Sequence, residues 1–319
     1  MVYSRSFERS IIKLGNSMAI TFPQEWFQNS DLQEHSKVFV LPIDDDTLII
    51  QKNNYLDSDS ILHLDLTKWP SELSEQLILT AFKLNVDKLF VKYNLKKNKQ
   101  DYLVMINKLQ RKIIGFDYSI SSDNNGINIR FLLDSTKTTL PEILIELYST
   151  LKEFIIGVLD NSMVIDQGIY QEKFDRKYHL GIRLLLGTLL KYPKLEGSIN
   201  RPIIRTLGDR ITLLYSKELM NYALKLKNVP KEILDKYSLI LIDFSDLILS
   251  IIEKYNNNIK EVLLISFQKK IDKLKKSLDT IDLEIKQEEN MIRNIISRFF
   301  SICTDLIEIS ITRILEAKL

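Results

Sequence analysis

Apolar side chains alternate with polar ones over the first fifty residues, and beyond residue 138 they recur every three to four positions. That change of period divides the chain. The alternating part predicts strands at Ser6–Leu14, Met18–Phe22, Lys37–Leu41 and Leu48–Gln51. Gly15-Asn16 separates the first two and reads as a hairpin turn, since both residue types tolerate positive φ. Asp44-Asp45-Asp46 is a turn between the last two strands. A short helix is expected from Pro23 to Asn29, with proline in its first turn. Residues 1–54 are therefore expected to form a small β-rich unit, too small to bury much core alone.

Residues 55–137 have a mixed pattern and are expected to form a small α/β connecting domain. Pro70 and Ser71 precede a helix carrying Leu73, Leu77, Ile78, Ala81 and Phe82 on one face. A strand at Lys88–Tyr93 leads, through a lysine-rich connection, to a helix with Leu103, Ile106, Leu109 and Ile113. Strands near Tyr118–Ser122 and Ile127–Leu133 flank Asp123-Asn124-Asn125-Gly126, a strong hairpin signal.

Residues 138–319 read as helix almost throughout. Breaks are expected near Gly168, Pro193–Pro202, Pro230, Asn256–Asn258 and Glu288–Asn290, which leaves about six long helices. Ile271, Leu274, Leu278, Ile281 and Ile285 step by three and four, the period of a bundle helix with a solvated charged face opposite.

Composition adds limits. Nine glycines and seven prolines among 319 residues favour long helices over loops. A net charge of +2 does not point to a nucleic-acid partner by itself. A single cysteine, Cys303, rules out an intrachain disulfide and a Cys-cluster zinc site, and its apolar surroundings suggest a core position. The most apolar run, Leu239 to Ile252, contains Asp243 and Asp246 and is too short to span a bilayer. The N-terminus has neither an apolar signal core nor an Arg-rich transit pattern, so the expectation is a cytoplasmic protein without membrane insertion.

The run from Arg9 to Pro23, R-S-I-I-K-L-G-N-S-M-A-I-T-F-P, resembles the swapped-hairpin domain of AbrB/SpoVT-type regulators and MazE-type antitoxins, with the signature K-x-G-N-S-x-x-I-x-x-P. The likeness extends through Ile50. It implies a homodimer in which two chains exchange hairpins and turn basic strand residues toward double-stranded DNA. Arg5, Arg9 and Lys13 are spaced by four, which keeps them on one face of a regular strand, and Asn16 and Ser17 are supplementary hydrogen-bond donors near the turn. Against this, residues 1–54 hold five Lys/Arg and seven Asp/Glu, so any basic strip is local. Alternating cations on an edge strand also protect against aggregation.

The long helices resemble the PhoU fold, two three-helix bundles packed together. The local likeness is R-T-L-G-D-R-I-T-L-L, Arg205 to Leu214, with a second copy at S-I-C-T-D-L-I-E-I, Ser301 to Ile309. Head and bundle together resemble archaeal phosphate-uptake regulators. The fold class implied is multidomain: a swapped-hairpin head at 1–54, the α/β connecting domain at 55–137, and an all-α pair of three-helix bundles at 138–319.

That family often holds iron or zinc through E/D-x-x-x-D pairs. Here Asp209 and Asp305 keep the second acid, but Arg205 and Ser301 stand four residues earlier. Asp175 with His179 is one pair at usable spacing. The expectation is no cofactor, with iron or zinc at Asp175, His179, Asp209 and Asp305 as the lesser alternative. Local pairing of Asp209 with Arg205 or Arg210 is the structural reading.

No G-x-x-x-x-G-K-[ST], H-E-x-x-H or G-x-S-x-G occurs, and His35, His63 and His179 lie in different segments, so no enzyme is expected. Trp26 and Trp69 read as hydrophobic anchors beside helix starts. Three functional readings follow. One is a dimeric DNA-binding regulator of phosphate uptake whose bundle senses a ligand or a partner such as a phosphate transporter's ATPase subunit. A second is a non-DNA-binding interaction protein controlling that transporter, its head a dimer clamp. The third is a toxin-neutralising antitoxin, against which the long bundle argues.

Overall fold

The computed structural model describes residues 8–30, 32–42, 48–51, 61–93, 95–121, 126–133, 138–160, 166–190, 203–255, 260–281 and 287–316. The chain divides into two compact units, a head within residues 1–57 and a larger unit built from 58–192 and 201–319.

In the head, β1 (Ile12–Leu14) and β2 (Ser17–Ala19) pair antiparallel, with Lys13 opposite Met18. Gly15 has φ +61°, the left-handed conformation that a two-residue turn with glycine at its first central position requires. The strands are shorter than the sequence suggests. Residues 8–11 and 20–22 lie outside this ladder and pair with no strand among the described residues. Helix α1 (Gln24–Asn29) starts after Pro23, whose carbonyl accepts the Phe27 N–H at 3.1 Å. A second hairpin joins β3 (Phe39–Pro42) to β4 (Leu48–Gln51), with Val40 opposite Ile50. The turn expected at Asp44-Asp45-Asp46 lies outside the described residues.

The larger unit begins with a four-stranded sheet. Its elements are β5 (Ile61–Asp65), α2 (Ser74–Lys83), β6 (Lys88–Lys92), α3 (Leu95–Lys112), β7 (Phe116–Ile120) and β8 (Gly126–Phe131). Strand order is β5-β6-β8-β7, with β5 parallel to β6 and the other pairs antiparallel. Helix α2 supplies the crossover a parallel pair needs. β5 was not anticipated: it is an edge strand whose first three residues are exposed, so Ile61-Leu62-His63 lacks the apolar alternation of a half-buried strand. Leu89, Val91, Ile127 and Ile129 share one sheet face and form a core with Ile78 and Phe82 of α2 and Ile106 and Leu109 of α3. Just before β7, Gly115 has φ +71°, and a Cβ there would stand 2.4 Å from the Leu132 carbonyl oxygen, so only glycine fits.

Among the described residues six helices follow: α4 (Leu140–Leu159), α5 (Gln167–Leu190), α6 (Ile203–Leu226), α7 (Lys231–Tyr255), α8 (Glu261–Asp279) and α9 (Gln287–Glu316). Helix α4 opens with a capping box, Thr139 and Glu142 satisfying each other's backbone N–H groups. Helices α4, α5 and α6 pack on one another, as do α7, α8 and α9. The two trios meet through α4 on α7 and α6 on α9, and one continuous apolar core fills them. Pro230 precedes α7 as expected, and its carbonyl accepts N–H groups of Ile233 and Leu234 at 3.0 Å. The breaks expected near Gly168 and Glu288–Asn290 fall just before these residues, which lie in the first turns of α5 and α9. Those at Pro193–Pro202 and Asn256–Asn258 lie outside the described residues. Cys303 is fully buried in α9, and Leu264, Phe267, Ile271, Leu274 and Leu278 form the buried stripe of α8. α8 ends at Asp279, so Ile281 lies beyond the helix expected to contain it, although it still packs on the core; Ile285 lies outside the described residues. No helix among the described residues is long and apolar enough to cross a membrane.

Candidate functional site

The head presents an unfinished β-structure. Lys13 and Met18 share one side of the β1–β2 hairpin, and Ile12, Leu14, Ser17 and Ala19 share the other. Leu14 is 69% and Met18 72% exposed, so both sides display large apolar groups to water. Burying one such side chain contributes about 1.5–3 kcal/mol, and a lone two-stranded hairpin does not supply that burial. Lys13, Asn16 and Ser17 are all exposed. Arg9 is exposed too, but it precedes β1 and its Nη1 donates to the Glu8 carbonyl at 2.9 Å. The even spacing expected to align Arg9 with Lys13 thus does not rest on a continuous strand. Arg5 lies outside the described residues.

Asp209 sits where four helices meet. It is fully buried, and it pairs with Arg313 of α9, 104 residues away. The Tyr255 hydroxyl of α7 donates to Asp209 Oδ1 at 3.3 Å, and Arg313 Nη1 donates to the Tyr255 carbonyl at 3.2 Å. The guanidinium lies over the Tyr255 ring, 3.3 Å from its centroid. Burial pushes the Tyr255 hydroxyl well above the ordinary range against the opposing pull of Arg313. Thr212 Oγ1 lies 3.1 Å from that hydroxyl, and Tyr148 of α4 donates to the Thr212 carbonyl at 2.9 Å. These groups bond one another and tie the two trios together. Asp305 accepts from the Tyr215 hydroxyl at 2.7 Å, and burial followed by this hydrogen bond pushes Tyr215 up to about 12.

A different chemistry gathers where α2 and α3 pack on α5 beside α6. Lys112 of α3 meets Glu75 of α2 at 2.5 Å. Lys217 of α6 pairs with Asp175 of α5, its ammonium 5.8 Å from the Phe174 ring centroid and 6.0 Å from that of Tyr178. Arg210 of α6 hydrogen-bonds Tyr178 but leaves Nη1 buried without a partner. Lys83 of α2 is half-buried and makes no hydrogen bond or ion pair to any described residue. Burial first, then the charges of Arg210, Lys217 and Lys112, hold its ammonium below the ordinary lysine range, with Asp175 offsetting only part. His179 is enclosed here with its Nδ1 unpartnered; burial, then Lys83, Lys217 and Lys112, lower it to about 3.

These surroundings decide whether iron or zinc fits. Asp175 is taken by Lys217, Asp209 by Arg313, and Asp305 receives a tyrosine hydroxyl. His179, the one nitrogen donor of the set, faces lysines. Among the described residues no group of three or more His, Cys, Asp or Glu side chains converges as a metal site. A cation placed beside His179 would meet like charges at short range, so these four residues do not fit the metal cluster.

No family model matches the chain, and no curated protein or solved structure matches it either.

Sequence reasoning placed Asp175 and His179 together, four residues apart on α5. It missed Lys83, Lys112, Arg210 and Lys217, which come from three other helices. No local motif joins them; the signal was one lysine in the last turn of each of α2 and α3, which reads equally as helix-end chemistry.

Proposed function

We propose that this chain is a cytoplasmic, homodimeric DNA-binding regulator of phosphate uptake, with a PhoU-like pair of three-helix bundles as its sensory or partner-binding part. The observation that carries the reading is the hairpin turning at Gly15-Asn16 with apolar groups exposed on both sides. A second copy exchanging the same hairpin would cover them, as in the AbrB/SpoVT-type domains the run resembles. Arg5, Arg9 and Lys13 would then supply cations from both chains to the phosphates of double-stranded DNA, with Asn16 and Ser17 as further donors. Two mutually packed helix trios support the bundle half of the reading. A transporter's ATPase subunit is the partner this resemblance suggests for them.

The acidic balance of residues 1–54 favours a second reading, in which the head only clamps the dimer and the bundle controls the transporter. Measuring DNA affinity across a salt series separates the two. If six cations engage phosphates, log K falls against log salt with a slope of about −5. The Arg5→Ala, Arg9→Ala, Lys13→Ala variant should lose most of both affinity and slope. Equal binding by the two proteins, or none by either at low salt, removes the DNA reading.

A further inference from the structure

We infer that the junction of α2, α3, α5 and α6 is a binding site for a small multivalent oxyanion of the phosphate class, held by Lys83, Lys112, Arg210 and Lys217 around His179. The inference stands on this junction alone and does not require the head to bind DNA.

The charge balance comes first. Four cations converge from three helices, and the carboxylates set among them are Glu75 and Asp175. Among the described residues two positive charges remain uncompensated in a half-buried place. The adjoining pairs, Arg111 with Glu172 and Arg183 with Asp87, are each balanced and do not relieve the excess. A fold that only needed helix ends capped would leave these lysines in water, where a cation costs nothing to hold. Here Lys83 is half-buried among like charges and pairs with no carboxylate among the described residues, Asp175 offsetting only part of the repulsion. Packed proteins do not sustain such an arrangement without something to offset it.

The donor geometry comes second. Arg210 Nη1 and His179 Nδ1 are both closed off from solvent and unpartnered, and both belong to the same cluster. Buried polar atoms of this kind are normally satisfied. A tetrahedral anion accepts from several directions at once and would take a guanidinium N–H, the lysine ammonium groups and an imidazole N–H together. The rings of Phe174 and Tyr178 form an apolar wall beside Lys217, lowering the local dielectric and strengthening each of those bonds. The unpartnered atoms are buried, so a small anion would reach them where a polymer backbone would not. Free phosphate and a phosphate monoester share the chemistry.

The test uses the full chain. Binding of inorganic phosphate, sulfate and a nucleoside monophosphate is measured by calorimetry against sodium chloride matched for ionic strength. The chain has three histidines, so the His179 ring can be followed by NMR in the same samples. Saturable phosphate binding is expected, with the His179 titration moving up as the anion neutralises its neighbours. Uptake of phosphate but not the monophosphate assigns a closed site for the free anion, and uptake of both assigns an open one for monoesters. Sulfate binding alongside phosphate shows that divalent oxyanion shape is what the site reads. Lys83→Met and Arg210→Met should each weaken binding about tenfold or more. Lys83→Met should also raise the melting temperature in anion-free buffer by removing repulsion, which a helix-capping lysine would not do. No saturable binding beyond chloride, or undiminished binding by both variants, overturns the inference.

Discussion

Arg183 Nη2 lies 2.5 Å from Asp87 Oδ1, an ion pair that ties α5 to the turn between α2 and β6. The arginine is on α5, and Asp87 is the residue before β6. Nη1 donates at 2.8 Å to the carbonyls of Phe82 and Val86, at the end of α2 and just beyond it. The guanidinium also stacks 4.9 Å from the Phe82 ring centroid. A positive group at a helix C-terminus complements the dipole as well as the orphan carbonyls.

The two partners are unequal, because Arg183 is 4% exposed and Asp87 37%. Arg183→Ala takes the guanidinium donor from the Val86 carbonyl and leaves the Phe82 carbonyl with the Asn85 N–H alone, and should lower unfolding stability by about 3–5 kcal/mol. Asp87→Asn should cost about 1 kcal/mol or less, since water replaces most of what is lost. Urea denaturation followed by circular dichroism reads both, and equal losses would contradict the account.

Asp209 and Arg313 offer a thermodynamic cycle. Either Asp209→Asn or Arg313→Met breaks this buried ion pair, and each should cost about 3–5 kcal/mol. The double variant should cost less than the two losses added, with a coupling of roughly 1–3 kcal/mol. Additive losses would show that the pair does not act as a unit.

His179 gives acid sensitivity with a definite sign. Its folded value, about 3, lies below the ordinary 6.5 of the unfolded chain. Between those values the unfolded state binds the extra proton, so stability is complete above about pH 6.5 and falls as pH drops toward 3. The loss from this one group reaches on the order of a few kcal/mol. Urea midpoints from pH 7 to pH 4 in chloride buffer should fall less steeply for His179→Gln than for the wild type. Parallel curves would mean that His179 is charged in the folded protein.

The head's exposed hydrophobes predict assembly. Sedimentation should find the wild type as a dimer and the Leu14→Lys, Met18→Lys variant as a monomer with its helical signal intact. A dimer unaffected by both charges would place the contact elsewhere.

Cys303 should behave as a reporter of unfolding. Burial raises its thiol far above the usual range and seals it from reagent, so thiolate is both rare and unreachable. Labelling by a thiol reagent in native buffer should track the global unfolding rate and become immediate in urea.

Local periodicity was enough to number the six long helices and to place Pro230 before α7, because an apolar stripe at three- and four-residue steps needs no partner to be legible. The Gly15 turn was legible for the same reason: positive φ is a property of one residue. Folding decided what depends on distant segments. β5 became a strand because β6 offers it a ladder, and Asp209 met the guanidinium of Arg313 104 residues away on α9. Lys83, Lys112, Arg210 and Lys217 each look like ordinary solvated charges where they stand in the chain. They become one electrostatic unit only because α2 and α3 pack on α5 beside α6, and Coulomb energy depends on separation in space, not along the backbone.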